Sequence, residues 1–118
     1  MEVLFGITGK DFVLVAADTA AARSVVVMKH NEDKSRALND NTIMLYSGEA
    51  GDTVQFAEYI QRNVQLYSIR NNVQLSTKEA AHFTRKELAE SLRSRVKKYH
   101  ISISLFSFII IIFLSFTL

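Results

Sequence analysis

Thr42-Ile43-Met44-Leu45-Tyr46-Ser47-Gly48-Glu49-Ala50-Gly51-Asp52-Thr53-Val54-Gln55-Phe56-Ala57-Glu58-Tyr59-Ile60 carries the change of pattern that decides the fold. As far as Ser47 the residues form one short, mostly apolar run, and Gly48 ends it. From Asp52 onward Val54, Ala57, Ile60, Val64 and Tyr67 recur every three or four residues. That spacing is the stripe of an amphipathic helix. Asp52 is suited to the N-cap, with Gln55 three residues later as in a capping box. A strand over 42–47 therefore turns into a helix.

Upstream the sequence predicts further strands. Val3-Leu4-Phe5-Gly6-Ile7 and Phe12-Val13-Leu14-Val15-Ala16-Ala17 flank the turn Thr8-Gly9-Lys10-Asp11, a hairpin signal. Both runs are apolar throughout, as in strands buried on two faces. Val25-Val26-Val27-Met28 is a third strand candidate and Ser35-Arg36-Ala37-Leu38 a weaker fourth, separated by the turn Asn31-Glu32-Asp33. Asn39-Asp40-Asn41 turns into the strand at 42–47. Downstream, Asn71-Asn72 can supply the left-handed residue that stops the first helix. Ser76 caps a second helix, with Glu79 three residues on, and Ala81, Thr84, Leu88 and Leu92 mark its inner face. Hairpins followed by two antiparallel helices predict an α+β layered fold.

Composition narrows the chemistry. A chain of 118 residues, 48% hydrophobic and 22% charged, holds one small domain. The absence of cysteine excludes disulfide scaffolds, cysteine zinc sites and cysteine nucleophiles. A net charge of +2 is too small to argue for a nucleic-acid partner. Arg85, Lys86, Arg93, Arg95, Lys97 and Lys98 form a basic run that reads as a solvated helix face. His30, His82 and His100 show no converging partners, so no metal site is expected. Four scattered glycines make no phosphate-binding loop.

The stretch Gly48-Glu49-Ala50-Gly51-Asp52-Thr53-Val54-Gln55-Phe56-Ala57-Glu58-Tyr59-Ile60, with Val15-Ala16-Ala17-Asp18 before it and Asn63-Val64-Gln65-Leu66-Tyr67 and Arg70-Asn71 after it, resembles the proteasome beta subunit family. Phe83-Thr84-Arg85 and Leu92-Arg93-Ser94-Arg95 continue the likeness. Within that family the sequence is most similar to the beta type-2 branch, a non-catalytic member of the ring. The resemblance spans residues 1 to about 95, the first half of a family member, and implies the N-terminal nucleophile hydrolase fold, an α/β/β/α sandwich, truncated here to its first strands and two helices.

In active members of the family a threonine at the mature N-terminus attacks the peptide bond, its own amine serving as base, with a lysine and an aspartate in support. By resemblance Asp18 falls at the aspartate position, Lys34 at the lysine position, and Gly48 where a backbone N–H would help to hold the oxyanion. The nucleophile position falls at Glu2 or its neighbour, where there is no threonine; Thr8 is the first, beyond the first strand. No propeptide is expected before the match. The expected role is therefore a non-catalytic subunit of the 20S core, cytoplasmic and nuclear, needing no cofactor and partnered by other alpha and beta subunits. The competing readings of the same residues are structural. Asp18 is then a strand-end turn former, Lys34 its ion-pair partner or a solvated turn charge, and Gly48 a residue of turn geometry. A threonine-type endopeptidase subunit is the alternative from the enzyme class.

Residues 96–118 read as a tail foreign to that fold, as translated intron or an out-of-frame segment would be. From Ile101 to Leu118 there is no charge. As a helix these residues would span roughly 27 Å at 1.5 Å per residue, just short of a hydrocarbon core of about 30 Å. The preceding basic residues would fit a tail anchor in a small membrane protein. The alternation Ile101-Ser102-Ile103-Ser104 and the run of isoleucines also fit a strand.

Overall fold

The structure is a computed structural model describing residues 3–23, 26–48, 52–93 and 112–115. The chain runs β1 (Leu4–Thr8), β2 (Val13–Ala17), β3 (Ala21–Arg23), β4 (Val26–Lys29), β5 (Ser35–Asn39), β6 (Thr42–Leu45), α1 (Asp52–Asn71), α2 (Thr77–Arg93) and β7 (Ile112–Ser115). The strands pair as two antiparallel two-stranded sheets, β1–β2 and β3–β4, and one three-stranded antiparallel sheet in the order β5–β6–β7.

The β1–β2 hairpin pairs Leu4 with Ala17 at one end and Thr8 with Val13 at the other. Its turn is closed by the Gly9 N–H donating to Phe12 O at 2.7 Å. A Cβ at position 9 would meet the Phe12 ring, so a larger residue there would have to push that exposed ring aside. Asp40-Asn41 connects β5 to β6, and the Asn39 carboxamide oxygen accepts the Asn41 N–H at 3.0 Å, an Asx turn. Asn39 also reaches across to donate to Leu75 O at 3.0 Å, tying this turn to the loop between the helices.

Helix α1 packs on β5 and α2 on β7. The core lies between helices and sheet: Leu38, Met44 and Tyr46 from the strand side meet Phe56, Ala57, Ile60, Val64 and Ala80 from the helices. The inner face of α1 is Thr53, Phe56, Ala57, Ile60 and Val64. This differs from the expected stripe at both ends. Phe56 is fully buried where Val54 is only partly so, and Tyr67 is 45% exposed. The stripe is rotated because the largest apolar side chain, Phe56, takes the centre of the core and Thr53 enters beside it. On α2 the buried positions are Ala80 and Thr84, with Phe83 and Leu88 packed against the core; Ala81 is only half-buried, and the Leu92 side chain lies outside the described residues. The Tyr59 hydroxyl donates to a Glu87 carboxylate oxygen at 2.9 Å and links the two helices.

The β1–β2 hairpin departs from expectation. Phe5, Ile7, Phe12 and Leu14 are 53%, 45%, 58% and 55% exposed, so the hairpin is not buried on two faces among the described residues. The physical reason is the placement of the helices, which cover the β5–β6–β7 sheet and leave this hairpin open. Val26, Val27 and Met28 on β4 are exposed in the same way. The short β3 also went unforeseen, because alanine-rich segments carry little strand propensity. Within the tail, residues 112–115 form a strand on β6 rather than part of a helix. The rest of the tail lies outside the described residues.

Both helix-boundary signals around residues 71–79 are realised. Asn72 stands at φ 54°, the left-handed residue that ends α1. The Ser76 N–H donates to Glu79 Oε2 at 2.8 Å, and the Glu79 N–H donates to Ser76 Oγ at 3.3 Å. These reciprocal bonds satisfy N-terminal donors that the helix itself leaves open, and hold the Glu79 carboxyl below its ordinary range. Ser76→Ala is expected to lower stability by about 1 kcal/mol in a denaturant titration. An unchanged midpoint would show that water replaces the serine at no cost. Asp52 opens α1 and places its carboxylate in the first turn, where the helix dipole favours it.

Candidate functional site around Asp18 and Lys34

Asp18 follows β2 directly. Its N–H donates to Val3 O and its Oδ1 accepts the Val3 N–H, both at 3.1 Å. This closes the open end of the hairpin, where Leu4 faces Ala17. Lys34 precedes β5, and its carbonyl accepts the Tyr46 N–H at 3.0 Å. The loop before it is held by the Glu32 N–H donating to Thr19 O at 2.9 Å. Two separate loops therefore meet, and Lys34 Nζ donates to Asp18 Oδ1 at 2.9 Å and to Ala20 O at 3.1 Å.

The Lys34 side chain is 5% exposed and that of Asp18 is 29% exposed. Burying an ammonium this deeply is unfavourable unless an anion and hydrogen-bond acceptors replace the lost water. Asp18 and Ala20 O supply both. In return the Lys34 ammonium, and then the Val3 N–H, hold the Asp18 carboxyl below its ordinary 3.8.

Gly48 sits between β6 and α1 with φ 150°, a backbone conformation that a side chain rarely allows. It lines a small cavity of about 20 Å³ together with Lys34, Ala21, Tyr46 and Thr53. The three positions singled out in the sequence are thus assembled in space: Asp18 bonds Lys34, and Lys34 shares a cavity with Gly48. The cavity has room for little more than one water molecule.

The other candidate positions fall as follows. Glu2 lies outside the described residues. Thr8 is at the far end of β1, four residues from Leu4, roughly 13 Å along a strand. His30 and His82 are exposed, and His100 lies outside the described residues. Among the described residues no three metal-ligating side chains converge, and no helix is long and apolar enough to cross a membrane. Glu49 and the basic positions Arg95, Lys97 and Lys98 lie outside the described residues. Arg85, Lys86 and Arg93 are exposed on α2.

Sequence reasoning missed the backbone half of the site. The Val3 N–H and Ala20 O carry no side-chain signature. It also missed the second layer: Asp33 accepts from the Ser35 N–H and hydroxyl at 2.9 and 2.7 Å, Tyr46 donates to Asp33 O at 3.0 Å, and the Arg36 guanidinium lies 5.6 Å from the Tyr46 ring centre. The Asp33-x-Ser35 spacing of an Asx turn was the available signal.

The proteasome subunit family pattern matches residues 2–109. The chain belongs to the proteasome subunit family. Among beta-type relatives, it is 58% identical over 105 residues to the probable proteasome subunit beta type-4 of Neurospora crassa, covering 89% of this chain and 51% of that protein. The beta type-4 subunit of Saccharomyces cerevisiae is 48% identical over 103 residues, 87% of this chain and 52% of that protein. The beta type-2-A subunit of Arabidopsis thaliana is 52% identical over 93 residues, 79% of this chain and 46% of that protein. Relatives of both names match, so these identities do not single out the type-2 branch expected above. The chain spans about half the length of the curated relatives it matches. Its fold is a truncated α+β arrangement of the N-terminal nucleophile hydrolase type, as expected for a proteasome subunit.

Proposed function

We propose that this chain is a non-catalytic beta-type subunit of the 20S proteasome core, of the type-2 or type-4 kind, with a structural role in the beta ring. The observation that supports it most is the Asp18–Lys34 pair, which ties the start of β1, the end of β2 and the approach to β5 into one clasp. With the nucleophile position at Glu2 or its neighbour, no threonine stands there for the clasp to activate. Its partners are then the neighbouring alpha and beta subunits, no cofactor takes part, and its place is the cytoplasm and nucleus. In this reading residues 1–95 carry the family domain and residues 96–118 are a tail added to it, into which the family pattern extends as far as residue 109. The same Asp18–Lys34 geometry also favours a second reading, a threonine-type endopeptidase subunit, since a lysine paired with an aspartate is what such a nucleophile uses.

Depletion of the protein separates the two. A structural subunit, when depleted, lowers the amount of assembled 20S particle while peptide hydrolysis per assembled particle stays constant. A normal amount of particle lacking one class of peptide cleavage would overturn the structural reading.

A further inference from the structure

Strand β6 is the centre of the best-packed part of the molecule. Thr42, Met44 and Leu45 are 3%, 0% and 2% exposed, and Thr42 and Thr77 hydroxyls are hydrogen-bonded at 3.0 Å. One of its edges pairs with β5. The other pairs with β7 in a continuous antiparallel register: Thr42 with Ser115, Ile43 with Leu114, Met44 with Phe113 and Leu45 with Ile112. β7 also approaches α2 and β1, so it crosses the molecule between separate elements.

Without β7 the backbone N–H and C=O groups along that side of Thr42-Ile43-Met44-Leu45 would stand unpaired beside an apolar strand. A short apolar edge of this kind is a template for strand addition by another chain. Ile112-Phe113-Leu114-Ser115 is uncharged, branched and aromatic, the composition of a strand that adds to such an edge. We propose that Ile112–Ser115 is a built-in edge strap, which pairs with β6 within the same chain and thereby blocks strand addition there by a second chain. On this account the apolar character of residues 112–115 serves a sheet rather than a lipid bilayer. The strap does not depend on the function proposed above.

The chain has no native cysteine, which makes the register directly testable. Thr42→Cys/Ser115→Cys and Ile43→Cys/Leu114→Cys each join facing residues. Because close and wide pairs alternate along an antiparallel ladder, one of the two has the shorter Cα separation of about 4.5 Å. Thr42→Cys/Ile112→Cys is the control, out of register by three residues and roughly 10 Å, beyond disulfide reach. Under mild oxidation at least one in-register pair is expected to close within a single chain, about tenfold more completely than the control. No cross-link in register, or one that joins two chains, overturns the proposal. The blocking is read with a fluorescent, lysine-flanked peptide carrying the sequence of residues 112–115. Phe113→Pro/Leu114→Pro removes at least one donor to β6, since alternate N–H groups face the partner. The peptide is expected to bind this variant about tenfold more tightly than the unaltered chain, and not to bind the cross-linked chain. Equal binding to all forms, or binding to none, overturns the proposal; the cross-link stands as the test if the proline variant fails to fold.

Discussion

Phe56→Ala is expected to lower stability by about 4 kcal/mol, the middle of the range for truncating a fully buried phenylalanine. The Phe56 side chain is 1% exposed and belongs to the same cluster as Leu38 and Met44 of the sheet and Ile60 of α1. Removing it leaves a cavity that neither β5 nor β6 can collapse into without breaking their register. A small domain has a total stability of about 5–15 kcal/mol, so the loss should bring the unfolding midpoint close to ambient conditions. The comparison variant is Tyr67→Ala. Tyr67 falls on the apolar stripe read from the sequence, yet is 45% exposed, so its loss should stay within about 0.5 kcal/mol. Denaturant titration followed by helical circular dichroism reads both. Equal losses in the two variants would mean that the inner face of α1 is the Val54–Tyr67 stripe after all.

Asp18→Ala is expected to cost about 3 kcal/mol at neutral pH, the lower end for removing one member of a buried ion pair. The lower end applies because Asp18 itself is 29% exposed, so part of its interaction is screened by water. Lys34 keeps Ala20 O but loses the Asp18 carboxylate, and the Val3 N–H loses the Asp18 Oδ1 acceptor. The pH dependence follows from the direction of the Asp18 shift. Its folded-state carboxyl lies below the ordinary 3.8, so the native state favours the ionised form. The stabilisation is fully present above 3.8 and is lost as pH falls through the lowered folded value. The difference between unaltered chain and variant should therefore be constant near neutrality and shrink in the acid range below 3.8. A difference that instead changed between pH 6 and 8 would point to a histidine, not to this pair.

These two residues show how differently core and site could be read beforehand. The existence of α1 was legible from periodicity alone, and its end from Asn71-Asn72. Its inner face was not, because a stripe drawn through Val54, Ala57 and Ile60 passes over Phe56 and gives no weight to a buried threonine such as Thr53. The strands were legible as apolar runs, but a run that is apolar throughout says only that both faces can be buried. Which layer covers it depends on elements far away in sequence, and here the helices cover β5–β6–β7 and not β1–β2. At the site, Asp18, Lys34 and Gly48 came from family resemblance, while no local pattern links residues 18 and 34 across the two intervening strands. The tail was ambiguous for a physical reason: an uncharged segment of isoleucine and phenylalanine satisfies a bilayer and a sheet edge alike. At Ile112–Ser115 the pairing with β6 distinguishes them.

In the proposed function the Asp18–Lys34 clasp holds loops together and serves no nucleophile. A covalent, threonine-directed proteasome inhibitor tests it most directly, applied to 20S particles and followed by mass spectrometry of each subunit. Labelling is predicted on the peptidase subunits and absent from this chain, including from the residues around Glu2 and Val3. A stoichiometric adduct on this chain, abolished by Lys34→Met, would contradict the account and make the clasp catalytic machinery.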